Sequence, residues 1–230
     1  MNSFSIKLKQ NFANGWIIGD FKTLSSGFDI WGKMPDAFDP EFVRRANLTT
    51  AVIAEEIKNS PWCIGVFIDN EMSWGGAAPQ IKRFGIVFDA LSRNAKDSPT
   101  KAEYVKLLKE KYGSINKLNK RWQKTHASWQ EFSVGANYKH DEGYSKALLE
   151  DASWLLTVYA EEYFKVVRNA IKKVMPNHMY MGNRFTTWGT APEARDASKK
   201  YSDVVSYNYY AEGIDNATFG FLKEFCNLVL

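Results

Sequence analysis

The run Trp62-Cys63-Ile64-Gly65-Val66-Phe67-Ile68, closed by Asp69-Asn70-Glu71, decides the fold. It is almost wholly apolar, too short for a buried helix, and stopped by three polar residues. Such a run suits a strand covered on both faces, the situation of strands in a parallel sheet. A helix precedes it. Asp39 is placed as an N-cap, Pro40 as the first helical residue and Glu41 in the positive first turn. Phe42, Ala46, Ile53 and Ile57 then repeat near a 3.6-residue period until Asn59-Ser60-Pro61 ends the helix.

Downstream the same alternation continues. A polar stretch runs to about Thr100, which with Glu103 has the spacing of a capping box for a helix reaching Tyr112. Leu118 to Trp129 reads as a loop or short-helix excursion. Leu148, Ala152, Leu155, Tyr159, Tyr163, Val166, Ala170 and Val174 form one apolar stripe, ended by Met175-Pro176-Asn177. His178 to Gly182 reads as a strand, Thr190 to Lys200 as a capped short helix, and Asp203 to Asn208 as another strand. A last helix is expected over Ala217 to Phe225, with a strand beginning at Asn227. With no composition break and no repeat, residues 1–230 read as one α/β domain.

Composition narrows the function. The chain has 230 residues, 45% hydrophobic and 24% charged, close to an ordinary soluble domain. Aromatics make up 15%, with eight Trp. They suit either core packing or the flat platforms on which sugar rings dock. The net charge of +4 is spread out. The basic run Lys101 to Lys124 is interleaved with acids and apolar residues, which reads as a solvated helix face and excludes nucleic acid as the expected partner. Cys63 and Cys226 lack zinc-site spacing, Cys63 reads as a buried thiol, and nothing in the sequence calls for a metal or organic cofactor. No segment reaches the ~18 apolar residues of a membrane span, and Met1 to Gln10 lacks the apolar core of a signal peptide.

Polar and aromatic residues gather just past the strand ends: Asn70-Glu71, Arg184, Trp188 and Asn208 to Tyr210. In a (β/α)₈ barrel that edge carries the active site. A carboxyl in such a mouth, partly desolvated, suits protonation of a leaving oxygen near neutral pH. Asn70 is placed to hydrogen-bond a sugar 2-hydroxyl, a contact that strengthens in the transition state. A strand-end Asn-Glu pair serves equally as a cap or a loop ion pair.

Five stretches tilt this balance. Trp62 to Gly75 resembles the acid/base strand of glycoside hydrolase family 50, the β-agarases. So do Trp31 to Asp36 with Phe38 to Phe42, Lys111 to Ile115 with Leu118-Asn119 and Trp122, His178 to Phe185, and Asp203 to Tyr210, all in the family's order. The Asn-Glu pair is shared across the clan; five stretches in order are specific. The resemblance implies a retaining clan-A barrel acting on agarose or its oligomers, from a secreted or periplasmic parent enzyme. It makes Glu71 the acid/base and Asn70 its 2-hydroxyl partner. Tyr210 resembles the tyrosine that hydrogen-bonds the nucleophile in such barrels. Asn208 and Arg184 are expected to line the mouth, Arg184 otherwise serving in an ion pair. Trp31, Trp74 and Trp188 are either stacking platforms or core residues, and Asp29 is either a sugar-binding residue or, as its position favours, a turn residue.

With Glu71 closing the fourth strand, Met179 lies on the fifth, Val204 on the sixth and Val229 on the seventh. In the family the seventh runs on into Gly-Glu-Phe, which holds the nucleophile, whereas the sequence stops at Leu230. The expectation is therefore an incomplete barrel, from about strand three to the start of seven, inactive by itself as a retaining hydrolase. Glu212 is the one acid near the mouth at that end. A β-galactosidase-like hydrolase of the same clan and a non-catalytic sugar-binding fragment are the rival readings.

Overall fold

The computed structural model describes residues 21–27, 29, 32–75, 80–138, 143–186 and 190–210. A two-stranded antiparallel ribbon comes first, β1 (Thr23–Leu24) on β2 (Met34–Pro35). Then come α1 (Pro40–Ile57), β3 (Gly65–Val66), α2 (Gln80–Arg83) and α3 (Gly85–Ser92). Three helices follow, α4 (Pro99–Tyr112), α5 (Ile115–Trp122) and α6 (Trp129–Val134), before the long α7 (Lys146–Val174). The end is β4 (Met179–Tyr180), β5 (Arg184–Phe185), α8 (Pro192–Tyr201) and β6 (Ser206–Tyr207). The expected helix at Ala217 and strand at Asn227 lie outside the described residues.

The strands are short, yet their hydrogen bonds form one parallel array. Met179 N donates to Ile64 O, Met181 N to Val66 O, Ile68 N to Gly182 O and Glu71 N to Arg184 O, all within 2.9–3.1 Å. On the other edge Asp203 N donates to Tyr180 O and Asn208 N to Phe185 O. Residues 64–71, 179–185 and 203–208 are thus three successive parallel strands, with 179–185 in the middle. Parallel pairing of this kind needs helical crossovers, and α7 and α8 supply them. The expected parallel strand–helix alternation is what the described residues show.

The helices form for legible reasons. Asp39 caps α1 by accepting from Glu41 N, and Phe42, Ala46, Ile53 and Ile57 are buried as the period requires. Ser145 caps α7, whose stripe faces the core from Leu148 to Ala170. Across the α1–α7 contact, Thr50 Oγ1 donates to Ala170 O at 3.2 Å. Lys111, Tyr112 and Trp122, all within the stretch that resembles the family, converge on the buried carboxylate of Asp151. That stretch is a structural clamp tying α4 and α5 to α7.

Four readings need correction. Ser98, not Thr100, caps α4; Thr100 instead gives both its N–H and its hydroxyl to buried Asp36, and Glu103 pairs with Lys106. The polar stretch before Thr100 contains α3, whose Ile86, Val87, Phe88, Ala90 and Leu91 are buried. Asp89 interrupts the apolar residues, but the helix is too short to show a 3.6-residue period, and it lacks a side-chain cap. The strand from Trp62 is not covered throughout, since Trp62 is 88% exposed and Ile64 53% exposed; Trp62 lies in the turn before pairing begins. Cys63 is only half-buried.

Nor is the basic run wholly a solvated face. Lys101 is fully buried, its Nζ donating to Leu91 O at 2.8 Å and lying 4.0 Å from the centre of the Phe132 ring. Burial pushes this ammonium down from 10.5 to about 7, with Glu131 pulling the other way. Between those values the unfolded chain holds a proton that the folded chain has released, so folding gains stability as pH rises. Against Lys101→Met, the wild-type unfolding free energy should climb from pH 7 to 10 with a slope approaching ~1.4 kcal/mol per pH unit. Urea denaturation at several pH values measures it. Parallel curves would mean that the Phe132 ring and Leu91 carbonyl keep Lys101 charged.

Candidate active site

Because the three strands are parallel, their C-terminal ends share one edge, and Asn70-Glu71, Arg184 and Asn208 all lie on it. The main chain there is unusual. Asp69 and Glu71 have φ of 64° and 55°, left-handed values that non-glycine residues adopt at a cost of ~1–3 kcal/mol each. Between them, Asn70 bridges to Arg184 in parallel register. In a regular strand consecutive side chains point to opposite faces. Here Asn208 Nδ2 donates to Asn70 Oδ1 and to Glu71 Oε1, both at 2.9 Å. Two consecutive side chains therefore meet one amide group. Glu71 is half-buried and Asn70 is buried.

Beneath this pair the carboxyl of Asp69 is fully buried and accepts a hydrogen bond from the Tyr163 hydroxyl of α7. Desolvation pushes it up to about 7, while the Tyr163 hydrogen bond pulls it down. Beyond Glu71 the chain turns inward: Met72, Ser73 and Trp74 are buried. Gly75 has φ of 92°, and a Cβ there would lie 2.3 Å from Arg83 O, so only glycine allows the loop to fold back on α2. Arg83 then pairs with the buried Glu193 carboxylate of α8, which also accepts from Ser153 of α7. The segment carrying Glu71 is thus fixed at both ends.

The structure brings together Asn70, Glu71 and Asn208 as side chains and Arg184 through its backbone. The Arg184 guanidinium lies 5.7 Å from the Phe67 ring centre. Tyr210 is 86% exposed on the same strand end. Trp74 is a correction: it is fully buried, stacked on Phe164 at 5.2 Å and edge-on to Tyr163 at 5.0 Å, so it is a core residue and not a sugar platform. Trp31, Trp188 and Glu212 lie outside the described residues. Asp29 accepts from Ser25 and Ser26, the turn role expected of it. Sequence reading missed Asp69 and Tyr163, whose partnership spans 94 positions. Among the described residues no three His, Cys, Asp or Glu side chains cluster as a metal would require.

Comparison with known proteins fits this geometry. Residues 37–224 match glycoside hydrolase family 42, described as β-galactosidase. Over 205 residues, 89% of the chain, it is 43% identical to β-agarase B of Vibrio sp. (strain JT0107). By that family model the chain belongs to the glycoside hydrolases of family 42. The solved structure of an exo-β-agarase superposes with a TM-score of 0.85 at 47% identity, covering 94% of the chain and 31% of the agarase. The crystal structure of another agarase gives 0.83 at 44% identity, covering 94% and 32%. The resemblance to the family 50 β-agarases thus stands. The chain spans about a fifth of the length of the curated β-agarase, 21%.

The glycine that lets the loop return tests the construction of the site. Gly75→Ala should destabilise the fold by about 1–3 kcal/mol, combining overpacking against Arg83 O with a disfavoured φ. Thermal unfolding reads the loss directly. A melting temperature equal to wild type would show that the loop can move aside at no cost.

Proposed function

We propose that the protein carrying these residues hydrolyses β-1,4-galactosidic bonds of agarose or agaro-oligosaccharides by a retaining double displacement. The supporting observation is the Asn208 amide joining Asn70 and Glu71 at the shared strand edge. In this reading the three parallel strands are the fourth, fifth and sixth of a (β/α)₈ barrel, within one catalytic domain. Glu71 protonates the leaving oxygen and then, as a carboxylate, takes a proton from the attacking water. Asn208 orients the Glu71 carboxyl through Oε1, leaving Oε2 for proton transfer. It also holds Asn70 by its amide oxygen, which turns the Asn70 N–H donors toward the sugar 2-hydroxyl.

Retaining chemistry needs a second carboxylate ~5–5.5 Å away, and residues past Tyr210 lie outside the described ones. Arg184 and Tyr210 sit at the edge where a galactan would bind, Trp31 and Trp188 are its proposed platforms, and Tyr210 is the proposed partner of the nucleophile. No helix among the described residues is long and apolar enough to cross a membrane, and a polymeric substrate is met outside the cytoplasm, in keeping with a secreted or periplasmic enzyme. The family description favours a second reading, a β-galactosidase taking shorter sugars. Product analysis on agarose beside a simple β-galactoside separates the two.

In the full-length protein, Glu71→Gln should lower turnover of agaro-oligosaccharides by ~10²–10⁴-fold, the usual contribution of general acid–base catalysis. An aryl galactoside with a good leaving group needs little protonation, so its first step should lose far less. Equal losses on both substrates would remove Glu71 from the acid role.

A further inference from the structure

Asp69 is the one residue of Asp69-Asn70-Glu71 that takes no part in the mechanism above, yet it is the most buried. Among the described residues no cation pairs with its carboxyl, and a buried acid without a cation is costly to keep. Its partner is the Tyr163 hydroxyl, and Tyr163 cannot swing away. Its ring stacks on Phe42 at 5.8 Å and meets Trp74 at 5.0 Å and Phe164 at 5.2 Å edge-on. The backbone on either side is fixed by Ile68 N to Gly182 O and Glu71 N to Arg184 O. Asp69 stands between these two anchors and Glu71 carries the second; both are left-handed, a conformation that persists only where its surroundings over-determine it.

Aspartate tolerates the left-handed region better than most residues, but so does asparagine, and glycine more so. Backbone preference alone therefore does not call for a carboxyl buried at this depth. The hydrogen bond to Tyr163 does. It ties the side chain of Asp69 down into the core, and the next two side chains must then leave upward. We propose that Asp69 is a positioning residue whose carboxyl, held by Tyr163, locks the left-handed step that presents Asn70 and Glu71 side by side to Asn208. This inference rests on the reading of Glu71 as the acid/base.

The test uses the full-length protein with Asp69→Ala, Tyr163→Phe and Asp69→Asn. In crystal structures the first two should show the Asn208 bridge broken on its Asn70 or its Glu71 side. Their kcat on agaro-oligosaccharides should fall about 10²-fold, the scale of an ångström misplacement, at nearly unchanged KM. The aryl galactoside should lose less in its first step. Asp69→Asn still offers Tyr163 an oxygen and should restore both the bridge and kcat. Tyr163→Phe removes one oxygen and keeps the ring packing, so it is the milder variant should the alanine variant not fold. The proposal is overturned if both Asn208 bonds survive in the variants, or if they melt earlier while kcat on the two substrates is unmoved. Should Glu71→Gln prove fully active, the acid/base reading fails, while the variant structures still decide whether Asp69 holds the turn.

Discussion

The backbone of residues 179–185 accepts and donates hydrogen bonds on both edges, toward 64–71 on one side and 203–208 on the other. Every functional placement in the molecule depends on this shared register. Parallel strands end on the same side of a sheet, so an acid at position 71 and an amide at position 208, separated by 137 positions, arrive within 2.9 Å of each other. A slip of one residue in either strand would turn the Asn208 side chain to the opposite face. Register is held by burial: Val66, Ile68, Tyr180 and Phe185 all lie in the core. The site inherits its precision from the sheet.

The sheet in turn leans on α7. Tyr159, Tyr163 and Phe164 project from this helix into one aromatic layer with Phe42 and Trp74. Large aromatic side chains each remove 150–250 Å² from water, and offset or edge-on contacts add ~0.5–1.5 kcal/mol per pair. That layer supplies the surplus from which the strained residues at the strand end are maintained. The hydroxyls at its margin are polar outlets: Tyr163 reaches Asp69, and Tyr159 reaches the Pro35 carbonyl.

Much of this was legible in the sequence because local physics wrote it there. The cap at Asp39 and the stripe along α7 each obey a short-range rule, and each sits where that rule puts it. The misses have a common cause. Ser98 and Thr100 are both good caps, and only the distant Asp36 decides between them. Lys101 reads as solvated until Phe132 and the Leu91 carbonyl close over it. Helix α3 hides because its eight residues are too few to show a period. Left-handed φ values at Asp69 and Glu71 leave no mark at all, since neither residue type demands them.

Trp74 shows how deep that ambiguity goes. Three residues after Glu71, the proposed acid/base, a tryptophan invites a role against sugar, yet its indole is closed off among Tyr159, Tyr163 and Phe164. Its edge contact confines Tyr163, and the Tyr163 hydroxyl holds Asp69, which begins the turn that presents Glu71. In the proposed mechanism the tryptophan therefore acts one layer below the substrate, through packing. A single stretch of sequence carries both the proposed acid and the support that aims it, because the chain dives into the core immediately after Glu71. Active-site chemistry and core packing are here two faces of the same seven residues, Asp69 to Gly75.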